Sequence, residues 1–172
     1  MTAKEILLSF LEYNYQADAH LLHHIEQLTP QQLHAAAPIS HATAYALLRH
    51  LLDTEWSWRL FASGGATQQY VWEVEELPDL PALRRFWSAE GERMLAYVRS
   101  LSEADLAQIV DFGTAQGGQP RYATVWNILL HVVNHSTHHR SELNRLLAAL
   151  GHPIAEQDLD YLSFSIQTRT QG

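Results

Sequence analysis

The chain has 172 residues, 47% hydrophobic and 17% charged, which suits one domain with a single substantial core and excludes general disorder. Its 11 Lys+Arg against 19 Asp+Glu give a net charge of -8, which argues against nucleic acid as a partner. Cysteine is absent, so disulfides, thiolate metal sites and cysteine nucleophiles are excluded, and any metal must be held by histidine and carboxylate.

The N-terminal run MTAKEILLSFLEYNYQ lacks a basic segment followed by an unbroken apolar core, and no stretch approaches the roughly 18 apolar residues of a membrane span. A soluble, cytoplasmic protein with no membrane partner is expected, organised as one domain over residues 1–172. Thr2, with Glu5 three residues on, opens a first long helix whose apolar positions are Ile6, Leu7, Phe10, Ala17, Leu21, Ile25 and Leu28. Asn14 interrupts that stripe and reads as a hydrogen-bonded core amide. His20, His23 and His24 cluster near the helix end, where rim positions are the plainer reading than a metal site. Thr29 and Pro30 then cap a short turn over residues 31–33.

Ser40 or Thr43 caps a second long helix that ends at Gly64 and Gly65. Ala44, Leu47, Leu48, Leu51, Trp58 and Phe61 form its stripe, with His50 at the edge, Glu55 within it and Asp53 pointing away. From Gly65 to Pro78 the sequence, including Gln68, Tyr70, Val71 and Trp72, predicts a loop that packs aromatics. Asp79 and Pro81 open a third long helix with Leu83, Phe86, Trp87, Glu90, Met94, Tyr97, Val98 and Leu101 inward. Ser102 and Asp105 mark another short turn. The segment VDFGTAQGGQPRYATVW, broken by Gly117 and Gly118, predicts a small extended or hairpin excursion covering one end of the molecule.

The fourth long helix, Thr124 to Leu150, carries four of the eleven histidines. Val125, Ile128, Leu129, Val132, Leu143, Leu146, Leu147 and Leu150 share one stripe at about 100° per residue. His139 falls near its middle and His135 toward one side, whereas His131 and His138 lie on the flank. Gly151 and Pro153 end the helix, and Leu159, Leu162 and Phe164 supply a short apolar tail. Four long helices of roughly 20 to 27 residues can enclose one core, so the fold class is all-α, a four-helix bundle with the excursion before the last long helix.

Two histidines at i, i+4 place their imidazoles about 6 Å apart, close enough to share a metal. His50 is the best third ligand and Glu55 its rival. Other readings stand beside this one: Glu90 or Glu142 could satisfy the pair, or the pair could act as acid and base without metal. The spacing HxxxH is not specific, and HExxH is absent.

The runs YNYQADAHLL, LLRHLLDTEWSWR and HVVNHSTHHRSEL, in that order along essentially the whole chain, resemble the DinB family. The resemblance implies a four-helix bundle, commonly dimeric, with a divalent metal held by three histidines that correspond here to His50, His135 and His139. The family often reads HHRGQ where this chain has HHRSE, so Glu142 adds a carboxylate that could orient a ligand imidazole or join the metal. Related bundles resemble thiol-dependent transferases and isomerases. The expected function is thus a metal-dependent enzyme, S-transferase-like or hydrolase-like. It would act on a small-molecule substrate with Zn, Ni or Fe and a low-molecular-weight thiol as cosubstrate. The alternative is a non-catalytic, stress-related, metal-binding homodimer. Arg140 and Tyr45 are candidate contacts for an anionic substrate group, with packing or surface roles as the plainer reading, and His131 is a candidate support for the metal ligands.

Overall fold

The computed structural model describes residues 2–65, 69–114 and 118–170, so Gln68 and Gly117 lie outside the described residues. Four long helices dominate: α1 (Ala3–Ile25), then, after the single turn α2 (Pro30–His34), α3 (Ala44–Ala62). The short α4 (Val71–Val74) precedes α5 (Leu80–Ser100) and the turn α6 (Glu103–Leu106). An antiparallel hairpin, β1 (Ile109–Thr114) and β2 (Pro120–Thr124), leads into α7 (Val125–Ala149), and α8 (Glu156–Leu159) and α9 (Tyr161–Thr170) close the chain.

Local chemistry sets these boundaries. Thr2 and Glu5 form a reciprocal capping box, as do Thr29 and Gln32. Thr43, not Ser40, caps α3, Asp79 caps α5 and Thr124 caps α7, each accepting from a backbone N–H of the first turn. Gly151, at φ 87, supplies the left-handed residue that ends α7.

Around the bundle, α1 packs against α5 and α7, and α3 packs against the same two helices. Consecutive long helices α1 and α3 are therefore diagonal to each other, as are α5 and α7. Close approach of α1 to α5 depends on Gly91, where a Cβ would meet the Tyr15 ring at 2.9 Å. The hairpin covers one end: Val110, Phe112 and Ala123 pack on the cluster that holds Leu7, Leu11 and Val125, and Phe112 meets Trp58 edge-on.

The stripes are rotated slightly from those expected. On α1 the buried line is Leu7, Leu11, Asn14, Ala17, Asp18, Leu21 and Ile25, with Ile6 and Phe10 only partly covered. On α7 Val133, Ser136 and Arg140 are buried while Leu146 and Leu150 are partly covered. Of the expected tail, Phe164 is buried against Tyr13 but Leu162 is 65% exposed, because it falls off the α9 face that Tyr161 and Phe164 present.

Among the described residues a smaller cluster of Tyr13, Ala17 and Phe164 lies under α9, and two large apolar clusters fill the interior. One holds Leu21, Ile25, Leu47, Leu48, Leu51, Leu83, Leu143 and Leu147; the other holds Leu7, Leu11, Met94, Val98, Ile128, Leu129 and Val132. Between them, one polar layer crosses the bundle: Asn14 and Asp18 from α1, Glu55 from α3, Glu90 from α5, and Ser136 and Arg140 from α7, all buried. None of the described helices is long and apolar enough to cross a membrane.

Candidate metal centre

Helices α3 and α7 carry the histidines of interest, and their packing brings His50, His135 and His139 together at the level of the polar layer. One ring nitrogen from each of the three lies within 4.8 Å of the others. Nε2 of His50 and Nε2 of His135 are 3.0 Å apart. Two imidazole nitrogens on one tetrahedral zinc, at bond lengths of about 2.0–2.1 Å, lie roughly 3.3 Å apart, so the spacing suits a shared ion with little movement. The ring centroids of His135 and His139 are separated by 4.5 Å and those of His50 and His139 by 5.1 Å.

Burial first, and the neighbouring imidazoles second, hold His50 down at about 4 and His135 at about 3. Burial lowers His139 as well, although Glu142 opposes the shift. All three rings are therefore neutral at pH 7 and offer lone pairs, the form a metal requires. Nδ1 of His135 and Nδ1 of His139 are buried without a hydrogen-bond partner, a cost of about 1–3 kcal/mol for each unsatisfied group. Three converging neutral imidazoles, with Nε2 of His50 and of His135 already at the spacing of two ligands of one ion, fit a divalent ion.

Glu142 stands behind this group. Its carboxylate accepts from the Ser40 N–H at 2.9 Å and the Ser40 hydroxyl at 2.8 Å, which ties the loop before α3 to α7. The same carboxylate lies 3.3 Å from His138 Nε2 and 3.7 Å from His139 Nδ1. The second distance is beyond direct hydrogen bonding but close enough to bias the ring electrostatically. His138, His139 and Glu142 also form a ligand group of their own at the surface. His131 packs edge-on against Trp58 and reaches within 5.5 Å of the His135 ring centroid.

Other sequence candidates take different places. Glu55 is not among the grouped ligands: Oε1 accepts from Asn14 at 3.3 Å and Ser136 at 3.1 Å, and Oε2 accepts from Trp87 Nε1 at 2.9 Å. Asn14 is the core amide expected, donating to Asp18 and accepting from Arg140. Arg140 is 2% exposed and paired with Asp18 at 2.8 Å, so its role is packing within the polar layer rather than contact with a substrate anion. The Tyr45 hydroxyl donates to the Leu77 carbonyl. Glu90 pairs with Arg59, and Asp53 accepts from the Val71 N–H at 2.7 Å. Among the described residues His20, His23 and His24 join no ligand group.

Two neighbours were not visible as site residues in the sequence. His41 stacks on His50 with ring centroids 3.9 Å apart. It sits in an irregular loop, with φ 63 followed by φ 64 at Ala42, and no periodicity signals its place. Arg49, adjacent to His50, lines a cavity together with it. Consecutive helix residues point about 100° apart, so nothing in the sequence singles Arg49 out as a neighbour of the site.

The DinB family profile matches residues 1–170 of the chain. Among curated proteins nothing matches. Two solved Bacillus subtilis structures share the fold. One is YfiT, described as a probable metal-dependent hydrolase with an unusual four-helix bundle topology, at a TM-score of 0.68 and 20% identity over 88% of this chain and 91% of that one. The other is the DinB-like protein YjoA, at a TM-score of 0.62 and 18% identity over 84% of this chain and 94% of that one.

Proposed function

Since the chain belongs to the DinB family, we propose that it is a divalent-metal-dependent enzyme whose ion is held by His50, His135 and His139 and whose reaction is a hydrolysis or a thiol-dependent S-transfer on a small molecule. The observation that carries this reading is the convergence of three neutral imidazoles from two helices, one ring nitrogen of each within 4.8 Å of the others. The description of YfiT as a probable metal-dependent hydrolase supports the hydrolytic form. A divalent ion with open positions would supply Lewis acidity, drawing the pKa of a bound water or thiol toward neutrality.

The protein's own residues supply the rest. His135 and His139 stand one turn apart on α7, and the Arg140 to Asp18 ion pair behind them fixes that helix against α1. His50 comes from α3, whose packing on α7 is secured at the same level by the Ser136 hydroxyl donating to Glu55. Glu142 holds Ser40, and so the loop bearing His41, against the ligand helix. Zinc, nickel and iron all suit three imidazoles. A cytoplasmic homodimer is part of the proposal by family resemblance, and light scattering would test the assembly.

Metal content per chain, measured by plasma mass spectrometry after loading, should approach one ion in the native protein and fall to background in His50→Ala. Unchanged stoichiometry and affinity in that variant would remove the three-histidine site. Calorimetric titration of the loaded protein with cysteine and glutathione then separates the two reactions: binding of a thiol only when metal is present favours S-transfer, and no thiol binding leaves hydrolysis. If ion binding is normal but neither thiols nor model esters and amides engage the site, the non-catalytic metal-binding alternative takes its place.

A further inference from the structure

A cavity of about 480 Å³ opens beside the imidazole cluster on the α3 side. His41, Arg49, His50, Asp53, Tyr70 and Trp72 line it, so one proposed metal ligand forms part of its wall. Arg49, His50 and Asp53 reach it from α3, and Tyr70 and Trp72 come from the start of α4. The Arg49 guanidinium lies over the Trp72 ring at 4.2 Å, and Tyr70 stacks on Trp72 with centroids 4.6 Å apart and planes 6° from parallel. Tyr70 is 54% exposed.

The Arg49 side chain makes no hydrogen bond or ion pair among the described residues, and its Nε is buried without a partner. Asp53 in the same cavity accepts from the Val71 N–H through one oxygen and feels the Arg49 charge, but it makes no hydrogen bond or ion pair with Arg49 among the described residues. A guanidinium placed over an aromatic ring can still offer N–H groups at its edge to a bidentate partner. Asp53 shares this wall and Glu73, Glu75 and Glu76 lie on the other side of Arg49 and Trp72, so an anion here would be held by bidentate hydrogen bonding to the Arg49 fork rather than by the general field.

We propose that this cavity is the substrate subsite of the metal centre and takes a small organic anion. The anion's carboxylate or phosphate pairs with Arg49, and an aromatic or unsaturated portion lies along Tyr70 and Trp72. The assignment to a substrate rests on the metal-centre reading; the affinity for an aromatic anion does not. The competing explanation is that Arg49 only packs on Trp72, as surface arginines often do.

The full chain, loaded with zinc and separately stripped with a chelator, is titrated by calorimetry with 1-naphthoate, its neutral counterpart 1-naphthamide, and acetate. Naphthoate should bind at least about tenfold more tightly than either comparison ligand. Arg49→Gln should erase the preference for naphthoate over the amide, and Arg49→Lys should keep part of it, with zinc stoichiometry and affinity unchanged in both. Trp72→Leu should weaken naphthoate while sparing acetate. The proposal is overturned if Arg49→Gln binds naphthoate as the native chain does, since the anion would then sit on the metal alone, or if naphthoate binds no better than acetate. Arg49-dependent naphthoate binding in a protein that takes up no zinc would sink the metal centre while supporting the anion cavity.

Discussion

At the level of single residues, three imidazoles crowd against one another and resist protonation. His50 at about 4 and His135 at about 3 both lie below the ordinary 6.5, through burial first and neighbouring rings second. In metal-free protein the unfolded chain takes up protons on these rings as pH falls below about 6.5, while the folded chain does not. Their contribution to stability is therefore fully present above pH 6.5 and is lost as pH falls toward about 4 and then 3. Chelator-treated protein should show a falling Tm between pH 7 and pH 4.5, and the double variant His50→Gln, His135→Gln should show a shallower fall. An identical slope in both would refute the shifted values. Glu55 works with the opposite sign: burial, and then the Asp18 charge, raise it well above the usual carboxylate range, so its contribution is present in acid and lost as pH rises. Comparing the variant with the native chain isolates the histidines. The His135 and His139 pair was legible because one helix carries both, whereas His41 belongs to a loop whose path only the packing of α2 and α3 reveals.

At the level of elements, the polar layer decides how the four helices register. Asp18 answers the Arg140 charge at 2.8 Å, whereas Glu55 accepts from Asn14, Ser136 and Trp87 and is raised well above the usual carboxylate range by burial and then by the Asp18 charge. Glu55→Gln keeps the side chain's size but turns one acceptor oxygen into a donor that faces another donor, at a cost of about 1–3 kcal/mol. Glu55→Ala removes the acceptor for Trp87, Ser136 and Asn14 at once and leaves a cavity, at a cost of about 3 kcal/mol or more. Urea denaturation at pH 7 measures both, and midpoints equal to the native chain's in both variants would mean that the hydrogen bonds to Glu55 contribute nothing to stability. The caps and stripes of α1, α3, α5 and α7 could be read in the sequence because they depend on residues within a few positions of each other. Arg140 could not: its partners Asp18 and Asn14 lie on another helix, more than a hundred positions away, and an arginine beside a histidine-rich stripe reads locally as a surface or ligand residue.

For the molecule as a whole, the proposed ion joins α3 to α7, two helices separated by α4, α5, α6 and the hairpin. A ligand that binds only the folded chain at a hundredfold excess over its Kd adds about 2.7 kcal/mol. For a chain of this length that corresponds to a rise in Tm of roughly 5–10 °C. Differential scanning calorimetry with and without zinc should show that rise in the native protein and none in His50→Ala; an equal rise in both would place the ion elsewhere, for example at the surface group of His138, His139 and Glu142.

By itself the amino-acid order determined four amphipathic helices, most of their caps, the hairpin before α7 and the inward-facing histidine pair. Each of these follows from spacing, propensity or hydrogen bonding over a few residues. Tertiary structure alone decided that α1 lies diagonal to α3, that Glu55 and Arg140 belong to a closed polar layer, and that His50 approaches His135 with Arg49 and Trp72 beside it. Those outcomes depend on which turn of one helix meets which turn of another. Many inward polar residues satisfy the same local pattern, and only the packed register assigns each of them its partner.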